Sequence, residues 1–291
     1  MIRIVTDSSA QLSPEWIQQN HIVVLPHHVT VDGQTYREGV DLDSVALGQK
    51  IADAMRDGKP IKIKGPTVEE FSEAYRKLAD EKMDVISLHV SAALSETVAH
   101  ANQAYVAYRG RCNIQVVDSR CVALGLHELV HAAQKGIDRR MILDDVVQYV
   151  RGLIAHVYGI FVSDDMKVME NSKRLRPAQA ELGHMLGIIP CLSLEDGDIV
   201  AVEKVRNTEK AVERLAEFAS EFEDFERLAI LQLVPDSHHK NEQIQQLLET
   251  IQPSFPRQRQ IPVESCGPII GSIIGAAGYG IMIFEGDMGL R

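Results

Sequence analysis

Three hydroxyl-rich segments each follow a short apolar, β-branched run: Thr6-Asp7-Ser8-Ser9, Ser91-Ala-Ala-Leu-Ser95-Glu-Thr97 and Asp118-Ser119. In a parallel sheet such turns gather at the carboxyl ends of the strands, where helix starts also offer free N–H groups. Hydroxyl and amide donors on one rim suit a small anion. Any one of these serines or threonines can instead serve only as a helix N-cap.

A second motif with chemistry is His127-Glu128-Leu129-Val130-His131. On a helix its two histidines lie on one face, where both can ligate zinc while the glutamate acts as base. A catalytic zinc needs a third protein ligand. The longer zinc-protease continuation fails, since Gln134 stands where glycine belongs and no third histidine follows; His156 and Glu170 are the next candidates. A zinc hydrolase is therefore the lesser alternative, and the simpler reading is a helix with two half-exposed histidines. The adjacent pairs His27-His28 and His238-His239 point to opposite faces of a strand rather than around one metal.

Other catalytic motifs are missing. The chain has no GxxxxGK[ST], no GxGxxG after a strand and no GxSxG; Gly271-Ser272-Ile-Ile-Gly275 misplaces its serine for a nucleophile elbow. Cys112, Cys121, Cys191 and Cys266 are far apart, which suits neither a disulfide framework nor a cysteine zinc site, and they are read as buried thiols.

The elements that position these residues follow from periodicity. Runs at Ile2 to Thr6, Asp84 to Val90 and Asn113 to Asp118 have the length and apolar character of buried parallel strands. Between them Phe71, Ala74, Tyr75 and Leu78 recur at helical spacing, and Thr67 with Glu70 forms a capping box that starts the helix near Val68. His28-Val-Thr-Val, Asp32-Gly33 and Gln34-Thr-Tyr read as a hairpin. A helical stretch is expected from Gly136 to about Ala155, and strand character resumes at Tyr158 to Val162.

The second half carries strands at Ile188 to Leu194, Ile199 to Val205 and Leu228 to Val234, with helical stripes at Ala211 to Phe222 and Ile244 to Ile251. Glu195-Asp196-Gly197-Asp198 is a hairpin turn, so antiparallel pairing enters there. The expected architecture is α/β in two domains: residues 1–155 around a parallel sheet, and 156–291 around a mixed one.

Composition bounds the function. The 291 residues are 45% hydrophobic, ample for a core, and 30 Lys and Arg against 41 Asp and Glu leave a formal charge of −11. Such a field repels polyanions, so nucleic acid is not an expected partner. The most apolar stretch, Pro268 to Phe284, is interrupted by four glycines and is not a membrane span. The strand at the very start predicts no secretory leader, and a cytoplasmic location is expected.

The ordered motifs resemble the DegV family of bacterial fatty-acid-binding proteins across nearly the whole chain. Ile-Val-Thr6-Asp7-Ser8-Ser9-Ala resembles the family's opening strand and loop, and Leu25-Pro26 with the Asp32-Gly33 hairpin its next segment. Pro66-Thr67-Val-Glu-Glu-Phe71 is similar to the end of TSQPSxxEF, Ser91 to Thr97 to SSxLSGT, and Val117-Asp118-Ser119 with Gly125 to VIDS...GLG. Lys173-Arg174 through Gly183 resembles GGRISKAQAxLG, Ile188-Ile-Pro190 resembles IKP, and Glu203-Lys204-Val205-Arg206 matches EKVR.

The resemblance implies a Rossmann-like first domain and a second α/β domain holding one fatty acid in an apolar tunnel, its carboxylate presented to a partner kinase. It implies no catalytic residues and no cofactor beyond that ligand. Carried over residue by residue, Ser95 falls on the serine that contacts the carboxylate, Arg174 on the GGR arginine and Arg206 on the EKVR arginine. Thr97, Ser8 and Ser9 complete the expected polar site. A buried carboxylate needs hydrogen bonds or a cation, which these residues supply.

Departures are equally specific. Ile63 replaces the threonine of TSQPS, with Lys64-Gly65 following; Ile273 replaces the histidine of HxGPG; and Glu96 replaces the glycine of LSGT. Two polar contacts become isoleucine, and Glu96 brings like charge near the expected anion unless Lys64 offsets it. The same fold with a changed small-molecule ligand is thus the alternative that these substitutions raise.

Overall fold

The computed structural model describes residues 1–163, 166–171, 181, 183, 185–235, 242–256, 258 and 260–287. Two compact units emerge, each discontinuous in sequence. The first comprises Met1–Asp43, Lys62–His156 and Asp196–Asp198; the second comprises Ser44–Ile61, Val157–Glu195 and Ile199–Arg291.

In the first unit four strands, β1 (Ile2–Asp7), β2 (Val23–Leu25), β6 (Asp84–His89) and β7 (Ile114–Asp118), form a parallel sheet in the order β2-β1-β6-β7. Both faces are covered, which explains why these strands read as continuous apolar runs. One face packs on α3 (Val68–Asp80) and α4 (Thr97–Tyr105) through Val5, Phe71, Tyr75, Leu78, Val85, Ala101 and Ile114. Full burial of a side chain such as Phe71 contributes about 1.5–3 kcal/mol. The other face meets α5 (Leu124–Asp138) and α6 (Leu143–Leu153).

Local signals explain the boundaries. Ser13 caps α1 (Pro14–Asn20) by accepting from the Trp16 N–H. The Thr67–Glu70 capping box starts α3 at Val68, as its spacing predicts. The helical stretch expected after Gly136 to about Ala155 starts later than expected: α5 runs on to Asp138, the chain breaks at Arg140, whose φ is +60°, and α6 begins at Leu143. Helical periodicity alone does not reveal one residue in the left-handed region.

The hairpin is present as β3 (His28–Val31) and β4 (Gln34–Arg37), joined by β5 (Ile61–Lys64) in a three-stranded sheet ordered β4-β3-β5. Asp32 and Gly33 both have positive φ, +49° and +82°, the two-residue turn that matches the twist of paired strands.

The second unit is built on a mixed sheet ordered β10-β9-β8-β13-β11-β12: β8 (Val157–Val162), β9 (Ile189–Glu195), β10 (Asp198–Val205), β11 (Arg227–Gln232), β12 (Val263–Ser265) and β13 (Tyr279–Phe284). Strand β13 runs antiparallel to both β8 and β11, while β11 and β12 are parallel. The helices α8 (Thr208–Ser220) and α9 (Glu242–Ile251) cover one face with Val212, Leu215, Ile244 and Leu247 against Ile160, Ile230, Ile281 and Ile283. This unit also holds α2 (Ser44–Arg56), α7 (Met166–Asn171) and α10 (Gly267–Ile274), with α2 against α10. No helix among the described residues is long and apolar enough to cross a membrane. Of the four thiols, Cys121, Cys191 and Cys266 are buried, but Cys112 is only half-buried, because it sits at the turn into β7 and donates to the Met83 carbonyl.

Candidate anion-binding site

The polar residues of the first unit assemble where β1, β6 and β7 end. Asp7, the last residue of β1, is fully buried. Its Oδ2 accepts from the His89 Nδ1 and the Val90 N–H, each at 3.0 Å. Its Oδ1 accepts from the Ser9 hydroxyl at 2.5 Å and lies 3.8 Å from the His27 Nδ1. Burial by itself would raise the carboxyl; the His89 hydrogen bond, the two imidazoles and Ser9 outweigh it and hold Asp7 at about 2. From His89 the string continues through Nε2 to the Ser87 hydroxyl at 2.6 Å and on to the Tyr75 hydroxyl at 2.7 Å.

His27 leads the other way. Its Nδ1 lies 3.2 Å from the Ser8 hydroxyl, which donates to Glu38 Oε2 at 2.6 Å. Glu38, just past β4, is 2% exposed, and burial pushes its carboxyl up despite His27, Ser8 and Gln11. The hairpin thus delivers an acid to the strand ends. The other ring nitrogen of His27 lies 3.4 Å from the Thr97 hydroxyl, and Thr97 is 2.7 Å from the Ser95 hydroxyl. Ser95 is half-buried, whereas Thr97 is buried at the start of α4.

Gly65 explains how the chain after β5 comes so near this pair. A Cβ there would lie 2.4 Å from the Thr97 Oγ1 and 3.0 Å from the Ser95 Oγ. Only a residue without a side chain fits at such an approach. Ile63, two residues earlier, is half-buried; Lys64 and Glu96 are both exposed, and Glu96 precedes α4 without making a side-chain cap.

The expected site residues therefore fall into distinct places. Ser8, Ser9, Ser95 and Thr97 belong to one network, but Ser8 and Ser9 spend their hydroxyl protons on Glu38 and Asp7 and reach Ser95 only through His27. The third turn is tied in by the Asp118 carboxylate, which accepts from the Ala92 N–H at 3.2 Å, and by the Ser119 N–H, which donates to the His89 carbonyl. Arg206, exposed after β10, and Ile273, 5% exposed on α10, belong to the second unit. Arg174 and most of the segment that follows it, like His238 and His239, lie outside the described residues.

Asp7, His27, Glu38 and His89 carry this network, and motif matching passed over the last three. One usable signal was the His27-His28 pair: neighbouring side chains point to opposite sides, so one is buried against Ser8 while the other reaches Glu70 at 3.0 Å.

The zinc-like motif packs against an aromatic neighbour. His127 Nδ1 faces the Ala10 carbonyl at 3.1 Å, and the ring stacks on His131, which stacks on Trp16 with centroids 3.9 Å apart. Among the described residues no three His, Cys, Asp or Glu side chains converge on a point that would suit a metal ion.

A two-unit α/β protein with a parallel sheet in one unit, a mixed six-stranded sheet in the other, and paired hydroxyls at a helix start defines the class. Within it the chain belongs to the DegV family: the family model described as "Uncharacterised protein, DegV family" matches residues 1–286. A DegV domain-containing protein of Listeria innocua is 30% identical over 286 residues, covering 96% of this chain and 97% of its own. Among solved structures, one of fatty acid binding by a DegV family protein from Thermus thermophilus superposes with a TM-score of 0.82 at 25% identity, covering 98% and 99% of the two chains. DegV, a fatty acid binding protein from Bacillus subtilis, gives 0.78 at 25% identity, covering 97% and 99%.

Proposed function

We propose that this protein is a non-enzymatic binder of a long-chain fatty acid or similar amphiphile, its carboxylate received by the Ser95 hydroxyl beside Thr97. The observation that carries this reading is the Ser95–Thr97 pair, two hydroxyls 2.7 Å apart at a helix start and closed over by Gly65. A helix start adds free N–H groups and a favourable dipole for an anion. The likeness to DegV proteins described as fatty-acid-binding supports the choice of ligand.

The reading extends to Arg174, Arg206 and Ile273 as further ligand contacts, to a cytoplasmic carrier, and to a partner kinase that receives the presented carboxylate. Ile63 favours one variation: a half-buried isoleucine where the family pattern has threonine makes the head-group surroundings more apolar, which would suit a less acidic lipid. Native mass spectrometry of the purified protein, followed by denaturing extraction, tests the proposal. One released fatty acid per chain is expected. A chain that is empty and also takes up no added fatty acid overturns it, and uptake of an uncharged lipid in preference to the acid selects the variation instead.

A further inference from the structure

We propose that Glu38, Ser8 and His27 form a proton-holding string that sets the direction of the Ser95 hydroxyl, so that an anion is gripped only when the string carries one added proton. This rests on the reading that Ser95 receives the ligand's carboxylate. The donors available along the string fix its direction. The Ser8 oxygen accepts the His27 backbone N–H at 2.9 Å, and its single proton goes to Glu38 Oε2 at 2.6 Å. The His27 Nδ1, 3.2 Å from that oxygen, must then be the donor of the pair.

With Nδ1 protonated and the ring neutral, Nε2 is an acceptor. The Thr97 hydroxyl, 3.4 Å away, turns inward to it; Ser95, 2.7 Å further on, turns inward to Thr97. Ser95 then faces the ligand with lone pairs, which repel a carboxylate. One added proton reverses the string. If it rests on the ring, Nε2–H donates to Thr97, Thr97 donates to Ser95, and the Ser95 proton is released toward the ligand. If it rests on Glu38, the acid donates to Ser8, Ser8 donates to Nδ1, and the ring's own proton lies on Nε2. The outward polarity is the same in both cases, because either placement leaves a proton on Nε2, which must then donate to Thr97.

The surroundings favour that extra proton. The charged groups facing His27 among the described residues are Asp7, 3.8 Å from Nδ1, and Glu38 at 4.0 Å; Ser8 and Thr97 are its neutral partners. Burial raises the Glu38 carboxyl, whereas Asp7 stays ionised. The balance is one proton taken from solvent per anion bound, with no covalent step.

The test is calorimetry of tetradecanoate binding in two buffers of different ionisation enthalpy, from about pH 6 to about pH 9, with 1-tetradecanol as the uncharged comparison. The wild-type chain is expected to take up close to one proton per tetradecanoate once the string is deprotonated, its affinity falling about tenfold per pH unit there, with no such slope for the alcohol. Glu38→Gln places an amide N–H against Ser8 while its oxygen still accepts from Gln11, so Ser8 must donate to His27 and the outward polarity becomes permanent. That variant should show neither proton uptake nor slope. Binding by the wild type without proton uptake, or a wild-type slope retained in Glu38→Gln, overturns the proposal. In the ligand-free protein the His27 ring-nitrogen resonances report the same state: Nδ1–H at high pH is expected, and Nε2–H overturns it. Failure of tetradecanoate to bind either protein overturns the carrier reading, and the ring-nitrogen signals then decide the string alone.

Discussion

His89 donates from Nδ1 to Asp7 Oδ2 at 3.0 Å, and this bond joins two adjacent parallel strands at their carboxyl ends, inside the fold and out of reach of water. An unpaired carboxylate there would be very costly; paired with His89, Ser9 and the Val90 N–H, it anchors the loop that carries Ser8.

Acid stability follows from that anchor. Asp7 is held at about 2, against an ordinary 3.8. A carboxyl lowered on folding contributes stability that is present above the unfolded value and is lost as pH falls through the folded one. The contribution is about 2 kcal/mol, lost between roughly pH 4 and pH 2. Denaturant melts across that range should show the loss in the wild type and a much flatter profile in Asp7→Asn. At neutral pH, Asp7→Asn should cost about 3–5 kcal/mol by breaking a buried pair; a cost near zero would show that the anchor is dispensable.

Ser95→Ala would remove the donor that the proposed function assigns to the ligand's carboxylate. Hydrogen bonds to charged groups are worth about 1.5–3 kcal/mol, so tetradecanoate should bind about ten- to a hundredfold more weakly. Affinity for 1-tetradecanol, measured alongside, should change far less.

Gly65→Ala drives a methyl group into the Thr97 hydroxyl, 2.4 Å from where its Cβ must sit. Overpacking of this kind costs about 1–3 kcal/mol, and the displaced hydroxyl pair should lose fatty-acid affinity as well. Thermal unfolding and calorimetry on one sample separate the two effects; unchanged values in both would mean that the loop moves aside freely.

His131→Ala removes the middle ring of the Trp16–His131–His127 stack. Aromatic contacts of this type are worth about 0.5–1.5 kcal/mol, so stability should drop by roughly 1 kcal/mol. Metal analysis by mass spectrometry should find equal, negligible zinc in both proteins. Stoichiometric zinc in the wild type, lost in the variant, would restore the hydrolase reading.

Patterns that act over a few residues were readable from the chain alone. The Thr67–Glu70 box started α3 at Val68, and the runs at 84–90 and 113–118 became β6 and β7, since capping and two-sided burial leave local signatures. Family membership was equally legible, because it rests on ordered motifs that need no contacts to be seen. Arg140, by contrast, broke an expected helix through one left-handed residue that hydrophobic period does not mark.

The site needed contacts between distant segments. Glu38 looks like a surface acid after a hairpin, and only folding buries it against Ser8, 30 residues away in sequence. Thr97 meets His27 across 70 residues, and His89 meets Asp7 across 82. Ser44–Ile61 is compact with the second unit although first-unit sequence flanks it on both sides. Sequence determined the family, the elements and the residue types able to hold an anion, because those depend on local period and composition. Tertiary structure decided which hydroxyls meet Asp7, Glu38 and His27, because those contacts join segments that only folding brings together.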